Sequence, residues 1–153
     1  MNKRLVVLAM VLGLVVGLVG SVVASDTTTV AVSASVTGTC KFLSGGTISY
    51  TLDPSVGGNV SGTVSQPTFW CTKGSSYTIT DDNGANKSGT TYRMKHASLA
   101  EYIPYSFTYT STGTGSGRGT TLTMNIGSQV LGSDYQNASA GNYSDTVTLT
   151  IAP

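Results

Sequence analysis

His96 is the one imidazole in the chain, and beside a serine and an acid it would make an acyl-transfer site. No serine stands in the glycine-flanked turn that exposes a nucleophile, and Met94-Lys95-His96-Ala97-Ser98 reads as a surface loop. Asp81-Asp82-Asn83-Gly84 gathers the hard oxygens that calcium takes, but a calcium loop needs acids at alternating positions and a closing Glu. Neither is present, and the segment reads as a hairpin turn in which Asn83-Gly84 suits positive φ. No carboxylate pair stands out for acid–base work on sugars, and no Cys/His set has zinc spacing. The Asn-X-Ser sequons at Asn59, Asn86, Asn137 and Asn142 read as chance matches in a Ser/Asn-rich chain. Tyr50, Tyr92 and Tyr102 could stack on carbohydrate, though tyrosine is equally at home in strands. The residues therefore point away from an enzyme, with no cofactor, no metal and no small-molecule substrate.

The chemistry that remains is oxidative. Cys40 and Cys71 are the two cysteines, and an even count on an export route favours one disulfide between them. Closing a loop of this size removes unfolded-state entropy worth roughly 3–4 kcal/mol in the chain-entropy model. The export route is read from the start of the chain. Asn2-Lys3-Arg4 is basic, Leu5 to Val23 is apolar and uncharged, and Val22-Val23-Ala24 offers the small residues a signal peptidase reads. Residues 1–24 are expected to be a signal peptide cut between Ala24 and Ser25, an uncleaved membrane anchor being the alternative.

From residue 25 onward six Lys and Arg face seven Asp and Glu, a net charge of about −1. Nucleic acid and anionic membrane both call for a basic patch, so neither is an expected partner. Charged residues are few while Ser, Thr and Gly abound, and apolar residues alternate with polar ones through most of the chain. Such alternation marks half-buried strands.

These elements must carry whatever function there is. In residues 26–37 Val30, Val32, Ala34 and Val36 share one face, and Gly38 can break the segment from the body. Ile48, Tyr50 and Leu52 share a face; Val60 to Val64, Thr68 to Cys71 and Tyr77 to Thr80 follow as strand candidates. Tyr92-Arg93-Met94 begins a short element, then Ile103, Tyr105, Phe107 and Tyr109 alternate, with Pro104 marking a strand start or an edge. Gly113 to Gly119 reads as a flexible loop. Leu122, Met124 and Ile126 define one strand, Gly127 to Ala140 a long connection, and Tyr143 to Ile151 a closing strand with Val147, Leu149 and Ile151 inward. Many short strands with close turns predict an all-β, immunoglobulin-like sandwich whose two sheets are bridged near Cys40 and Cys71.

Several segments, in order, resemble the spore coat protein U family, which includes the pilin subunits of archaic (Csu-type) chaperone–usher pili. They are Val32-Ser33-Ala34-Ser35-Val36 through Cys40, the run Cys71 to Ile79, Asp82-Asn83-Gly84-Ala85-Asn86 followed by Tyr92-Arg93-Met94, Tyr102-Ile103-Pro104-Tyr105, and Gly141 to Ile151. The resemblance implies a sandwich lacking one strand and completed by donor-strand complementation. It carries Cys40 and Cys71 onto the family's disulfide. It makes residues 25–37 a donor strand whose Val30, Val32, Ala34 and Val36 fill a neighbour's groove, and residues 38–153 the body. Tyr143, Val147, Leu149 and Ile151 then belong to the last intrinsic strand, beside the groove. The implied partners are neighbouring pilin subunits, a periplasmic chaperone and an outer-membrane usher, in an extracellular fimbrium reached through the periplasm. A spore-coat or surface-layer protein of the same family, or a secreted carbohydrate-binding module, are the alternatives.

Overall fold

The computed structural model describes residues 24–153, so most of the expected signal peptide lies outside the described residues. These fall into two units, divided between Ala34 and Ser35. In the first, residues 24–34 form no ladder. In the second, the regular structure is almost wholly short antiparallel strands.

The strands are β1 (Cys40–Ser44), β2 (Thr47–Ser49), β3 (Val60–Ser61), β4 (Thr63–Ser65), β5 (Thr68–Cys71), β6 (Ser76–Asp81), β7 (Tyr92–His96), β8 (Tyr102–Tyr109), β9 (Thr112–Thr114), β10 (Leu122–Thr123), β11 (Ile126–Val130), β12 (Tyr143–Ser144) and β13 (Leu149–Ala152), with one helical turn, α1 (Gly132–Tyr135). One layer holds the sheet β12-β7-β8-β11-β3; the facing layer holds β1-β5-β10 and β13-β6-β9, and β2 pairs with β4 alone. Phe69, Cys71 and Ile79 of the second layer are buried against Phe107, Tyr109 and Ile126 of the first, with Met124 between them. A second cluster of Ile103, Val130 and Tyr135 packs with Leu52, Met94 and Tyr143. The fold is a β-sandwich of antiparallel sheets, as the alternation predicts.

The partners of the strands differ from expectation in several places. Cys40 and Cys71 are bonded, but they face each other across the β1–β5 ladder. The bridge therefore fastens two strands of one sheet and does not join the two sheets. Leu122, Met124 and Ile126 alternate without a fault, yet β10 pairs with β5 and β11 with β8. The chain changes layers at Met124, which is wholly buried between them. The expected connection Gly127 to Ala140 begins as the rest of β11 and then forms α1, and β9 takes part of the expected loop at Gly113. Asn83 and Gly84 do have positive φ, 60° and 86°, but they make no hairpin: β6 pairs with β13 and β9, while β7 pairs with β8 and β12. The turn is a crossover between layers.

Polar cross-links fasten that crossover. The carboxylate of Asp81, at the end of β6, accepts the hydroxyls of Tyr92 at 2.8 Å and Tyr109 at 2.6 Å from the opposite layer, and the amide of Asn83 at 2.7 Å. Burial alone raises this carboxyl, but the bonds from Tyr109, Tyr92 and Asn83 outweigh it and hold the group below its usual value. Tyr109 is pushed up to about 12, by burial first and then by the bond to Asp81.

Three outcomes follow for stability. Replacing Cys40 and Cys71 by alanine is expected to cost about 2–5 kcal/mol, read from urea unfolding; a cost under about 1 kcal/mol would contradict it. A carboxyl held low in the fold contributes stability above its unfolded value and loses it as pH falls through the folded one. Unfolding midpoints should therefore be level near neutrality and fall below about pH 4, by less in Asp81→Asn. At the alkaline end the raised hydroxyl of Tyr109 contributes below pH 10 and is lost towards about pH 12.

Candidate functional site

A groove runs along one side of the sandwich. It begins with a sequence fact: Tyr143, Asp145, Val147, Leu149 and Ile151 are half-buried and the residues between them exposed. This is one face of one extended segment. The segment does not stay in one sheet. Its first part, β12, pairs with β7, and its last part, β13, pairs with β6. Residues 145–148 cross from one layer to the other and belong to no ladder.

The crossing residues are held on one edge only. The carbonyls of Thr146 and Thr148 accept the amides of Ala85 and Asp82 at 2.9 and 3.2 Å, and the Thr148 amide donates to the Asp82 carboxylate at 3.0 Å. In an extended chain successive backbone groups point to opposite edges, so Asp145 and Val147 present theirs to the other edge. No backbone partner meets them there among the described residues.

Facing that edge is a second segment of the same kind. Ile48, Tyr50 and Leu52 are half-buried on one face. β2 has its ladder to β4 on one side, and the backbone of residues 50–52 bonds to nothing described. Between the two segments lie two connected clefts of about 420 and 560 Å³, which share Ile48, Tyr50, Met94 and Tyr143. Phe107, Ile126, Val147 and Leu149 line the first; Leu52, Ile103, Tyr135 and Ala138 line the second. The result is a trough lined by apolar side chains and polar groups together, with an unpaired backbone edge on each side. Unpaired N–H and C=O groups beside apolar surface are costly unless something pairs them.

The residues expected to act are distributed as follows. Tyr143, Val147 and Leu149 line the groove; Ile151 lies beyond it and packs on the core with Leu149. Val30, Val32 and Val36 are 82, 90 and 85% exposed, and Ala34, Ala24 and Ser25 are exposed too. His96 is no surface residue. It is 6% exposed at the end of β7, because its ring packs edge-on against Tyr143 and its Nδ1 accepts the amides of Ser98 and Leu99. In the turn at Asp81-Asp82-Asn83-Gly84 both carboxylate oxygens of Asp81 and Oδ1 of Asp82 accept hydroxyl and amide donors. Among the described residues no three His, Cys, Asp or Glu side chains converge on a metal position. Asp145 escaped the sequence reading, although it stands on the same alternating face as Tyr143 and Val147. Met94 and Tyr105 were legible as strand residues but not as groove floor.

No curated protein sequence matches this chain. Among solved structures it is similar to a chain of the chaperone–tip adhesion subunit pre-assembly complex (CsuC–CsuE) from archaic chaperone–usher Csu pili of Acinetobacter baumannii. The identity is 18%, the TM-score 0.45, and the match covers 76% of this chain and 40% of that one. The chain thus spans two fifths of the solved chain it matches. The sequence itself matches the Spore Coat Protein U domain over residues 26–150, a span that takes in the alternating N-terminal segment, both cysteines and both walls of the groove. The chain belongs to the Spore Coat Protein U domain family.

Proposed function

We propose that this chain is a structural subunit of an extracellular pilus, and that it polymerises by donor-strand exchange. Membership of the family goes with a structural, non-enzymatic role. One observation carries the finer reading: a groove floored by apolar side chains and bordered by two unpaired backbone edges occurs in a chain that also has an exposed segment of strand pattern with a single apolar face. Each supplies what the other lacks. A strand laid in the groove would pair with the edges at residues 50–52 and 145–147 while its apolar face covered the trough, which is β-augmentation.

Lengths agree. Val30 to Val36 and Tyr143 to Leu149 are each seven residues, about 23 Å of extended chain. Burying three valines contributes roughly 1.5–3 kcal/mol each before the ordering cost of the segment is subtracted. Donated from each subunit to the next, the contact is head-to-tail and does not close, so it builds a filament. Before assembly the same groove would be covered by a periplasmic chaperone, with an outer-membrane usher releasing subunits to the cell surface. The disulfide beside Gly38 anchors the root of the donor to a fixed strand pair.

The test uses the full exported chain with Val32→Asp and Val36→Asp, both at exposed positions. This variant should form no fibres under electron microscopy, yet bind a synthetic peptide of residues 26–37 and melt several degrees higher with it. Fibres as abundant as those of the parent chain, or no peptide binding, would overturn the reading.

A further inference from the structure

Asp145 is a carboxylate on the face of the groove wall that otherwise carries Tyr143, Val147 and Leu149. A charged group beside apolar surface is costly unless it is bonded, so its partners decide what it does. Oδ2 accepts the hydroxyl of Tyr105 at 2.7 Å; Oδ1 accepts the amide of Asn86 at 3.0 Å and its side-chain Nδ2 at 3.1 Å. Tyr105 stands on β8, in the middle of the five-stranded sheet, and lines the groove floor. Asn86 belongs to the crossover turn, and its Nδ2 also reaches the carbonyl of Ser144 at 3.1 Å. The carboxylate thus ties the wall to both the floor and the turn, at the stretch where no ladder holds it. Gly84 makes room for it: a Cβ there would strike the Asp145 carboxylate, and φ of 86° suits glycine as well.

We infer that Asp145 is a positioning residue for strand uptake, a clasp that fixes wall residues 145–148 with their free edge towards the groove. The inference rests on the groove being the strand acceptor. With the clasp intact the edge is presented in one geometry, so an incoming strand meets it already ordered. Without it the wall keeps only the bonds from Asp82 and Ala85.

The test compares Tyr105→Phe and Asp145→Leu, each made in the full chain carrying Val32→Asp and Val36→Asp, with Ile79→Val as a control that lowers stability at a buried core residue that does not line the groove. Two readouts are taken: affinity for the peptide of residues 26–37, and amide hydrogen exchange at residues 145–148 without peptide. Both clasp variants should bind the peptide about tenfold more weakly, the loss expected when a bond to a charged group is removed. They should also exchange faster at residues 145–148, while Ile79→Val should do neither. Asp145→Leu is the sharper case, because it makes the groove more apolar and a purely hydrophobic account has it bind more tightly. Peptide affinity within twofold of the parent, tighter binding by Asp145→Leu, or exchange at residues 145–148 no faster than in Ile79→Val would each overturn the inference. A parent that binds no peptide would sink the acceptor reading instead, and the exchange comparison would still judge the clasp.

Discussion

The fold is organised around backbone groups that must be paired. A strand with one neighbour has an edge, and an edge beside apolar side chains needs a cover. In this chain two such edges, at residues 50–52 and 145–147, face each other across a trough floored by Met94, Tyr105 and Phe107. The wall is unpaired because the last segment leaves β7 and joins β6, in the other layer, within four residues. Everything near that crossing serves to hold it: the turn at Asp82 to Asn86, the glycine at 84, and the carboxylates of Asp82 and Asp145.

The means are those of a chain poor in charge. Its carboxylates are bonded mainly to tyrosine hydroxyls and amides: Asp81 to Tyr92 and Tyr109, Asp145 to Tyr105, and Glu101 to Tyr143. Each link joins two different segments of the chain. A tyrosine in a half-buried strand supplies an apolar body for the core and a donor at its tip, so one residue type both fills the sandwich and ties its layers. These bonds do not depend on ion pairing and are insensitive to salt in a way that surface ion pairs are not.

Alternation along the chain reported faces faithfully and partners poorly. Ile48, Tyr50 and Leu52, and Tyr143 through Ile151, lie on the faces their spacing predicts. A period of two is silent about which strand lies alongside, however, so the change of layer at Met124 and the break at residues 145–148 left no mark in the pattern. The pairing of Cys40 with Cys71 was legible from number and compartment. Its place within one sheet was not, since that depends on the β1–β5 register. His96 looked like loop because Lys95 and Ser98 stand close to it in sequence; its burial comes from Tyr143, 47 residues away in the chain. Asp145 was the hardest to see, because a charge on an apolar face makes sense only once Tyr105, Asn86 and Gly84 are brought to it.

The central claim is that the segment around Val30 to Val36 of one subunit lies against the wall at Val147 of another. Disulfide trapping tests it directly: cysteine placed singly at Val30, Val32, Ala34 or Val36 is combined with Val147→Cys in the full chain, oxidised, and resolved by denaturing electrophoresis without reductant. The account predicts a ladder of covalent oligomers from one or two of these positions and none from the outward-facing Ser33 or Ser35. Cross-links confined within single chains, or no preference for the valine face, would contradict it.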